Sequence, residues 1–267
     1  MITLKTKEDI AILREGGKRH AHILAALAAM VKPGITTKEL DDAAAKMIAD
    51  GGDTSPFLGY KPRGAKRAYP ATLCVSVNDE VVHGIPNENN RTLNEGDIVS
   101  LDLGLTHKGL ITDMAITVPV GEVSREAAEL LRTTERALMA GIDAAQAGKR
   151  VTDVSTAIER VGRASRGGTG PEAGHGYGIV EELSGHGVGY KVHEDPFVPN
   201  YVKGNQKGEI LTPGLVIAIE PMFNLGTKDV TLDADGYTIR TADGSMSAHF
   251  EHTVVITKSG AEILTAL

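Results

Sequence analysis

The segment Leu93-Asn-Glu-Gly-Asp-Ile-Val-Ser-Leu-Asp102 recurs in altered form 118 positions later, as Leu211-Thr-Pro-Gly-Leu-Val-Ile-Ala-Ile-Glu220. In both copies a glycine-containing turn leads into an apolar run, and the run reaches a carboxylate at the same place. Short apolar runs rich in β-branched residues and bounded by turns are typical of buried strands. The sequence therefore predicts two equivalent strands, each with an acidic residue next to buried positions.

The segments around this pair repeat as well. Asp113-Met-Ala-Ile-Thr-Val aligns with Glu251-His-Thr-Val-Val-Ile, again with a carboxylate at the first position. Two further segments correspond, and each begins a predicted helix: Lys32-Pro-Gly-Ile-Thr-Thr-Lys-Glu-Leu and Gln146-Ala-Gly-Lys-Arg-Val-Thr-Asp-Val. A duplicated helix-helix-sheet unit would fold with approximate two-fold symmetry. We therefore expect the four acidic residues to approach one axis.

Periodicity and turn residues assign the remaining elements. Helices are predicted over residues 10–30, 38–49 (with Thr37 as N-cap), 125–146 and 153–165, and strands over 72–77, 97–103, 110–118, 215–219, 237–240 and 250–257. No linker or shift in composition separates these parts. We expect one α/β domain over residues 1–267.

Composition excludes several classes of protein. The 267 residues are 41% hydrophobic and 24% charged, as in ordinary globular proteins, and the net charge of −7 argues against nucleic acid as the main partner. A single cysteine, Cys74, excludes an internal disulfide. The longest apolar stretch, residues 21–31, is too short to span a membrane, and the charged N-terminus does not resemble a signal peptide. We expect a cytoplasmic protein.

The paired carboxylates indicate a metal centre. A single strand-end Asp or Glu is equally well explained by hydrogen bonds to the backbone, but two matched pairs are harder to explain in this way. Four clustered carboxylates repel one another, and two divalent cations would cancel their charge. Oxygen-rich ligands without thiolate suit manganese, iron(II) or cobalt better than zinc, which stays a further candidate.

Histidines supply additional candidates. His186 lies in Ser184-Gly-His-Gly, His193 in Lys191-Val-His-Glu-Asp-Pro and His83 in Val82-His-Gly-Ile-Pro. His252 follows Glu251 and should face the opposite side of its strand. The other histidines are interpreted as loop residues without function: His20, His22, His107, His175 and His249. From spacing alone, the prediction is a binuclear metallohydrolase.

These motifs together resemble the methionine aminopeptidases, from about Lys7 onward. The resemblance rests on six segments: His83-Gly-Ile-Pro, Ser100-Leu-Asp102 with Asp113, Ser184-Gly-His186-Gly, His193-Glu-Asp-Pro, Ile219-Glu220-Pro-Met and Phe250-Glu251-His-Thr. It implies the pita-bread fold, in which pseudo-two-fold halves surround a central antiparallel sheet. The short interval between His193 and Glu220 resembles the type I, bacterial-type form.

The resemblance also implies the ligands of two divalent metal ions. Asp113 and Glu251 would bridge the ions. Asp102 would complete one site, and His186 and Glu220 would complete the other.

The implied reaction is removal of the initiator methionine from nascent proteins. A metal-activated hydroxide would attack the first peptide bond. His193 would stabilise the developing oxyanion, His83 would hold the scissile amide nitrogen and Glu220 would shuttle the proton. The substrate's α-amine would bind on the Asp102 side, and a small second residue would be preferred.

A methionine pocket should be apolar and polarizable. By position, its walls resemble Phe57, Tyr60, Tyr69, Cys74, Val192 and Tyr237. Val192 and Tyr237 depart from the family, where Phe and Trp are frequent. Plain core packing explains each of these residues equally well.

A second departure is the loop Lys61-Pro-Arg-Gly-Ala-Lys-Arg-Ala, which carries four basic residues. One interpretation is a solvated loop, and the other is a transient contact with ribosomal RNA or acidic nascent chains.

Two alternatives to an aminopeptidase for methionine stay open. One is a prolidase or aminopeptidase P-like enzyme of the same fold, although those usually carry an additional N-terminal domain. The other is a non-catalytic pita-bread binding protein, although such proteins have typically lost ligands. We expect N-terminal methionine peptides as substrates, no membrane contact and a monomer.

Overall fold

The computed structural model describes residues 2–62, 64–163, 176–202, 204 and 207–267. In this part of the chain the helices are α1 (Lys7–Met30), α2 (Thr37–Asp50), α3 (Arg125–Ala144) and α4 (Val151–Arg163). The first strands are β1 (Leu73–Val77), β2 (Glu80–Val82), β3 (Ile98–His107), β4 (Leu110–Pro119), β5 (Gly178–Ile179), β6 (Ser184–Gly187) and β7 (Glu194–Pro199). The remaining strands are β8 (Val216–Ile219), β9 (Met222–Asn224), β10 (Val230–Leu232), β11 (Ile239–Thr241), β12 (Ser247–His249), β13 (Glu251–Thr257) and β14 (Gly260–Ile263).

The two N-terminal helices each begin with a capping box. In α1 the Thr6 hydroxyl accepts from the backbone N–H of Asp9, and the Asp9 carboxylate accepts from that of Thr6. In α2 the same exchange joins Thr36 and Glu39. The predicted N-cap Thr37 is therefore wrong by one residue, because the acidic partner three positions along belongs to Thr36.

The predicted elements are present with shifted ends. The strand predicted over 97–103 continues to His107, and the helix predicted from 153 begins at Val151. The predicted end of that helix at 165 lies outside the described residues. Tyr237 precedes β11 instead of opening it. Hairpin pairing extends β3, since its partner β4 continues alongside it.

The main sheet is antiparallel, with strand order β1-β3-β4-β13-β8-β6-β7 and β14 paired to β13. The equivalent segments found in the sequence are β3 with β8 and β4 with β13. Their order β3-β4-β13-β8 is symmetric about the junction of β4 and β13. The predicted two-fold duplication is therefore visible in the sheet, with the junction as its centre.

The helices cover one face of this sheet, and the acidic residues singled out in the sequence lie on the other face. Leu101 and Leu103 of β3 pack in the apolar cluster formed with α1 and α2, so the intervening Asp102 faces the opposite side. Ile217 and Ile219 of β8 pack in the cluster formed with α3 and α4. Among the described helices, none combines the length and apolar character needed to cross a membrane.

Helix α1 approaches the C-terminal segment closely at a glycine. A Cβ atom on Gly17 would lie 2.1 Å from the carbonyl oxygen of Leu264. Only a residue without a side chain fits there. The N-terminal helix and the last residues of the chain are thereby packed against each other.

Candidate metal centre

Strand register places three of the predicted ligands on one face of the sheet. Ala115 of β4 lies opposite Asp102 of β3 and opposite Glu251 of β13. Directly paired residues share a face, and so do residues two apart on one strand. Asp113, two residues before Ala115, therefore faces the same side as Asp102 and Glu251.

The second half supplies the other two predicted ligands. Ala218 of β8 pairs with Thr253 of β13 and with His186 of β6, so all three face the site. Glu220 follows Ala218 by two residues, and its Oε1 lies 3.5 Å from Nε2 of His186. The structure therefore brings all five predicted ligands to one face.

Three of these residues are already arranged as a chelating group. One ligand atom from each of Asp113, His186 and Glu251 lies within 4.8 Å of the others. This group spans the junction, because Asp113 belongs to the first half and the other two belong to the second. The site is therefore built at the centre of the duplication.

Burial makes this cluster unfavourable without cations. The Oδ1 atoms of Asp102 and Asp113 and the Oε1 atom of Glu251 are buried, and none has a hydrogen-bond partner among the described residues. Burial raises the pKa of Asp102 to about 7. Burial and then the neighbouring carboxylates raise the pKa of Asp113, Glu220 and Glu251 well above their usual values. A cation is the partner that relieves both the burial and the repulsion, so the residues fit a metal centre.

The orientation of the His186 ring suits metal binding. Its Nδ1 lies 2.9 Å from the carbonyl oxygen of Gly187, which can only accept, so Nδ1 carries the proton. Burial and then the proximity of His193 lower the pKa of His186 to about 3. The neutral ring therefore directs the Nε2 lone pair towards the carboxylates, the arrangement typical of metal-bound histidine.

The two other predicted histidines line the same cavity. His193 packs edge-to-face on His186, with ring centroids 4.5 Å apart, and its Nδ1 lies 2.8 Å from the Tyr60 hydroxyl. His83 follows β2 with a φ of 59°, a left-handed conformation that is uncommon for a residue with a side chain. Such backbone conformations cluster at functional sites. Burial, followed by the proximity of His193, lowers the pKa of His83 to about 4.

His249 is a site residue that the sequence interpretation missed. It lies on β12 and is 1% exposed, and it lines the cavity. Its Nε2 lies 3.7 Å from Oε2 of Glu220 and 3.7 Å from Oε2 of Glu251. The signal was present, because His249 precedes Glu251 by two residues and therefore faces the same side in an extended chain.

Three other histidines that were expected in loops lie in a helix or a strand instead. His20 and His22 lie in α1, and His107 ends β3. Buried His107 is paired with Asp53 at 2.7 Å. None of the three lines the cavity of the metal centre. His175 lies outside the described residues.

His252 faces away from the cluster, as expected from strand alternation. Its Nδ1 lies 3.0 Å from the hydroxyl of Thr265. The contact with the C-terminal segment places it on the helix side of the sheet, and it is not among the residues that line the cavity.

A cavity of about 560 Å³ opens above the carboxylates. Its walls include every residue expected for the methionine pocket: Phe57, Tyr60, Tyr69, Cys74, Val192 and Tyr237. The Cys74 thiol is buried, and burial followed by the charge of Asp102 raises its pKa well above the usual value. The thiol is therefore a neutral apolar surface at physiological pH.

The basic loop is closed at its base. The N–H of Gly59 donates to the Tyr69 carbonyl and the N–H of Tyr69 donates to the Tyr60 carbonyl, so the extra residues leave the two tyrosines side by side. Arg67 binds Glu88 through two hydrogen bonds and donates to the Asp235 carbonyl. One of the four basic groups is thus held within the protein. Arg63 lies outside the described residues.

A buried ion pair supports the turn that carries Val192 and His193. Nζ of Lys5 lies 2.6 Å from Oε2 of Glu194, and the Lys5 side chain is fully buried. The other carboxylate oxygen accepts from the backbone N–H groups of Tyr190 and Lys191. The N-terminal segment therefore fixes one wall of the cavity.

Comparisons with known sequences find matches over nearly the whole chain. The profile of metallopeptidase family M24 matches residues 11–258. The methionine aminopeptidase of Aquifex aeolicus (strain VF5) is 44% identical over 267 residues, which are 100% of this chain and 99% of that protein. Methionine aminopeptidase 1 of Bacillus subtilis (strain 168) is 42% identical over 265 residues, which are 99% of each chain.

Comparisons with solved structures confirm the expected pita-bread fold. The crystal structure of methionine aminopeptidase from Thermotoga maritima superimposes with a TM-score of 0.89 at 37% identity and covers 100% of both chains. Prolidase from Pyrococcus furiosus superimposes with a TM-score of 0.69 at 21% identity, over 99% of this chain and 65% of that one. At that identity, the likeness to prolidase extends to the fold alone.

Proposed function

The chain belongs to metallopeptidase family M24, and on that premise we propose that it acts as a metal-dependent methionine aminopeptidase. One observation carries the proposal: carboxylates from both halves of the sheet and His186 meet at the base of a cavity whose walls are apolar and aromatic. Metal ligands supply the means of hydrolysis, and the walls supply selectivity for an apolar first side chain. Similarity to methionine aminopeptidases over the whole chain favours the short type I form.

The described residues fit a pair of divalent cations. We propose that Asp113 and Glu251 would contribute to both ion sites, that Asp102 would complete one site and that His186 and Glu220 would complete the other. Oxygen-rich ligands with one imidazole favour manganese, iron(II) or cobalt, with zinc as a further candidate. When bound, such cations supply Lewis acidity that activates water and polarises the scissile carbonyl.

The cavity suggests how a free N-terminus is recognised. Cys74 pairs with Asp102 across β1 and β3, so both side chains face the site next to each other. An apolar wall beside a carboxylate suits a methionine side chain beside its own α-amino group. An internal peptide segment would bring an uncharged amide to Asp102, which explains action on the first residue only.

Polar groups at the mouth complete the proposed machinery. We propose that the Tyr60 hydroxyl donates to Nδ1 of His193, so that Nε2 of that ring carries the proton and donates to the substrate's carbonyl oxygen as negative charge develops. His83 is proposed to hold the scissile amide nitrogen. Glu220 is proposed to shuttle the proton in addition to holding one of the ions.

Several finer points are proposals with their own tests. A small second residue should be preferred, which a series of Met-X-Ser peptides would measure. The protein is proposed to be a cytoplasmic monomer, and sedimentation equilibrium tests the oligomeric state.

We also propose a transient ribosome contact through the exposed residues Lys61 and Lys66 of the basic loop. Binding to ribosomes should then weaken steeply with salt and with Lys61→Ala/Lys66→Ala. Lys149→Ala, at an exposed lysine elsewhere, serves as control. Affinity insensitive to both salt and the double substitution would exclude the contact.

A peptide assay tests the main proposal. Metal-loaded protein is incubated with Met-Ala-Ser and with X-Pro peptides, and released amino acids are quantified. Release of methionine from the first peptide alone supports the proposal. Cleavage of the X-Pro peptides would instead indicate a prolidase-like enzyme, and bound metal without cleavage would indicate a binding protein.

A further inference from the structure

His249 lies between two of the proposed metal ligands, yet neither of its ring nitrogens has a hydrogen-bond partner among the described residues. A buried polar atom without a partner is destabilising, so such an atom is rarely retained without a role. The ring therefore needs a partner that is present when the site is in use.

The position of this ring is fixed by its backbone. The hydroxyl of Thr117 accepts from the N–H of His249 and donates to its carbonyl oxygen, both at 2.8 Å. The Ser100 hydroxyl lies 2.8 Å from the same oxygen of Thr117. Hydroxyl groups of β3 and β4 thus hold β12 in place beside the junction of the two halves.

The geometry assigns different roles to the two oxygens of Glu220. Its Oε1 lies 3.5 Å from Nε2 of His186, and its Oε2 lies 3.7 Å from Nε2 of His249. His186 is itself a proposed ligand, so Oε1 faces the metal side. Oε2 faces His249.

Glu251 shows the same division. Its Oε1 is buried without a hydrogen-bond partner among the described residues, as expected for a ligand atom. Its Oε2 lies 3.7 Å from Nε2 of His249. The imidazole is therefore equidistant from the outer oxygens of two ligands, one just after β8 and the other at the start of β13.

Few other donors can serve these oxygens. The residues that line the cavity in the described part of the chain include no lysine or arginine. A neutral imidazole donates from one nitrogen, and ionised carboxylates at Nε2 select the tautomer that carries its proton there. The remaining lone pairs of both carboxylates then stay directed towards the cations.

We propose that His249 is a positioning residue of the metal centre: its Nε2 atom lies 3.7 Å from the Oε2 atoms of Glu220 and Glu251, and in the metal-loaded protein its N–H group would donate to them and thereby orient both ligands. The inference rests on the proposed metal-dependent function and adds a residue to it. It predicts that the donor, and not the ring as such, determines metal affinity. Loss of a hydrogen-bond partner of a metal ligand typically costs 10–100-fold in affinity.

Substitutions that differ in donor position provide the test. His249→Gln places an amide N–H near the Nε2 position, His249→Asn places it near Nδ1, and His249→Leu removes it. His252→Leu, on the next strand along the chain but facing away from the cavity, is the control. Thermal unfolding of each chelator-treated variant identifies those that fold.

The primary readout is Co²⁺ affinity by isothermal titration calorimetry, with the visible absorption spectrum of the cobalt-loaded protein as the second. We expect His249→Leu and His249→Asn to bind about 10–100-fold more weakly with an altered spectrum, and His249→Gln and His252→Leu to remain within about threefold of wild type. Wild-type affinity and spectrum in folded His249→Asn would overturn the proposal, as would an equal loss in His249→Gln. If the wild-type protein itself binds no Co²⁺, the proposed metal-dependent function fails together with the role of His249. If only the variants behave differently from the expectation, the role of His249 fails alone.

Discussion

The hydroxyl of Tyr60 lies 2.8 Å from Nδ1 of His193, and the two rings meet edge-to-face. The contact joins the base of the basic loop to the turn before β7. Nε2 of His193 therefore stays available for the substrate, and the same ring packs against His186. A tyrosine expected only as a pocket wall therefore also orients a proposed catalytic group.

Tyr60→Phe should lower kcat more than it raises KM. The substitution removes one hydrogen bond, worth about 1 kcal/mol, and keeps the apolar ring that lines the pocket. We expect about a fivefold loss in kcat with Met-Ala-Ser. Tyr201→Phe, outside this cavity, is the matched control. A change in KM alone would show that Tyr60 contributes only to the pocket wall.

Glu251→Gln should abolish nearly all activity while stabilising the metal-free protein. Burial and neighbouring carboxylates raise the pKa of Glu251 well above its usual value, so its charge opposes folding when no cation is present. Steady-state assays and thermal unfolding in chelator measure the two effects. Glu209→Gln, at an exposed carboxylate, should change neither. Wild-type turnover in Glu251→Gln would show that the ligand is misassigned.

Acid sensitivity should depend on His20. Burial, and then the proximity of His252, lowers the pKa of His20 to about 3. The unfolded chain therefore binds a proton below about pH 6.5 that the folded protein excludes, and the free energy of unfolding falls as the pH is lowered. This contribution is about 2 kcal/mol by pH 5.

Urea denaturation of His20→Gln at pH 8 and pH 5 tests this expectation. The variant should lose about 2 kcal/mol less than wild type over that interval. His22→Gln, at an exposed position of the same helix, should follow wild type. Parallel pH profiles for His20→Gln and wild type would contradict the assignment.

Lys5→Ala should weaken both stability and substrate binding. It leaves the carboxylate of Glu194 largely buried without its cation, which costs about 3 kcal/mol. The turn with Val192 and His193 would loosen, so KM should rise. Urea denaturation and peptide kinetics check both effects, with the exposed Lys7→Ala as control. Unchanged stability would mean that the backbone hydrogen bonds of Glu194 suffice.

Much of the fold could be predicted because the duplication carries the pattern twice. The strands that hold Asp102, Asp113, Glu220 and Glu251 follow from apolar runs, and strand alternation then places these side chains on one face. The helix ends were less accurate. Thr36 and Thr37 carry identical hydroxyl groups, and only the capping-box contact with Glu39 identifies Thr36 as the N-cap.

Other features depend on contacts between distant segments. The fixed position of His249 is one of them, because its strand β12 is only three residues long and is held by Thr117 of another strand. The pairing of Arg67 with Glu88 is likewise invisible in a run of basic residues. Long-range hydrogen bonds of this kind leave no local pattern in the chain.

Anomalous diffraction from crystals grown with Mn²⁺ would examine the metal pair directly. We predict two manganese peaks in the cavity, one on either side of the line from Asp113 to Glu251, with Asp102 next to one ion and His186 next to the other. Manganese bound only elsewhere on the molecule, or a single ion held by one half of the sheet, would contradict a binuclear centre shared between the two halves.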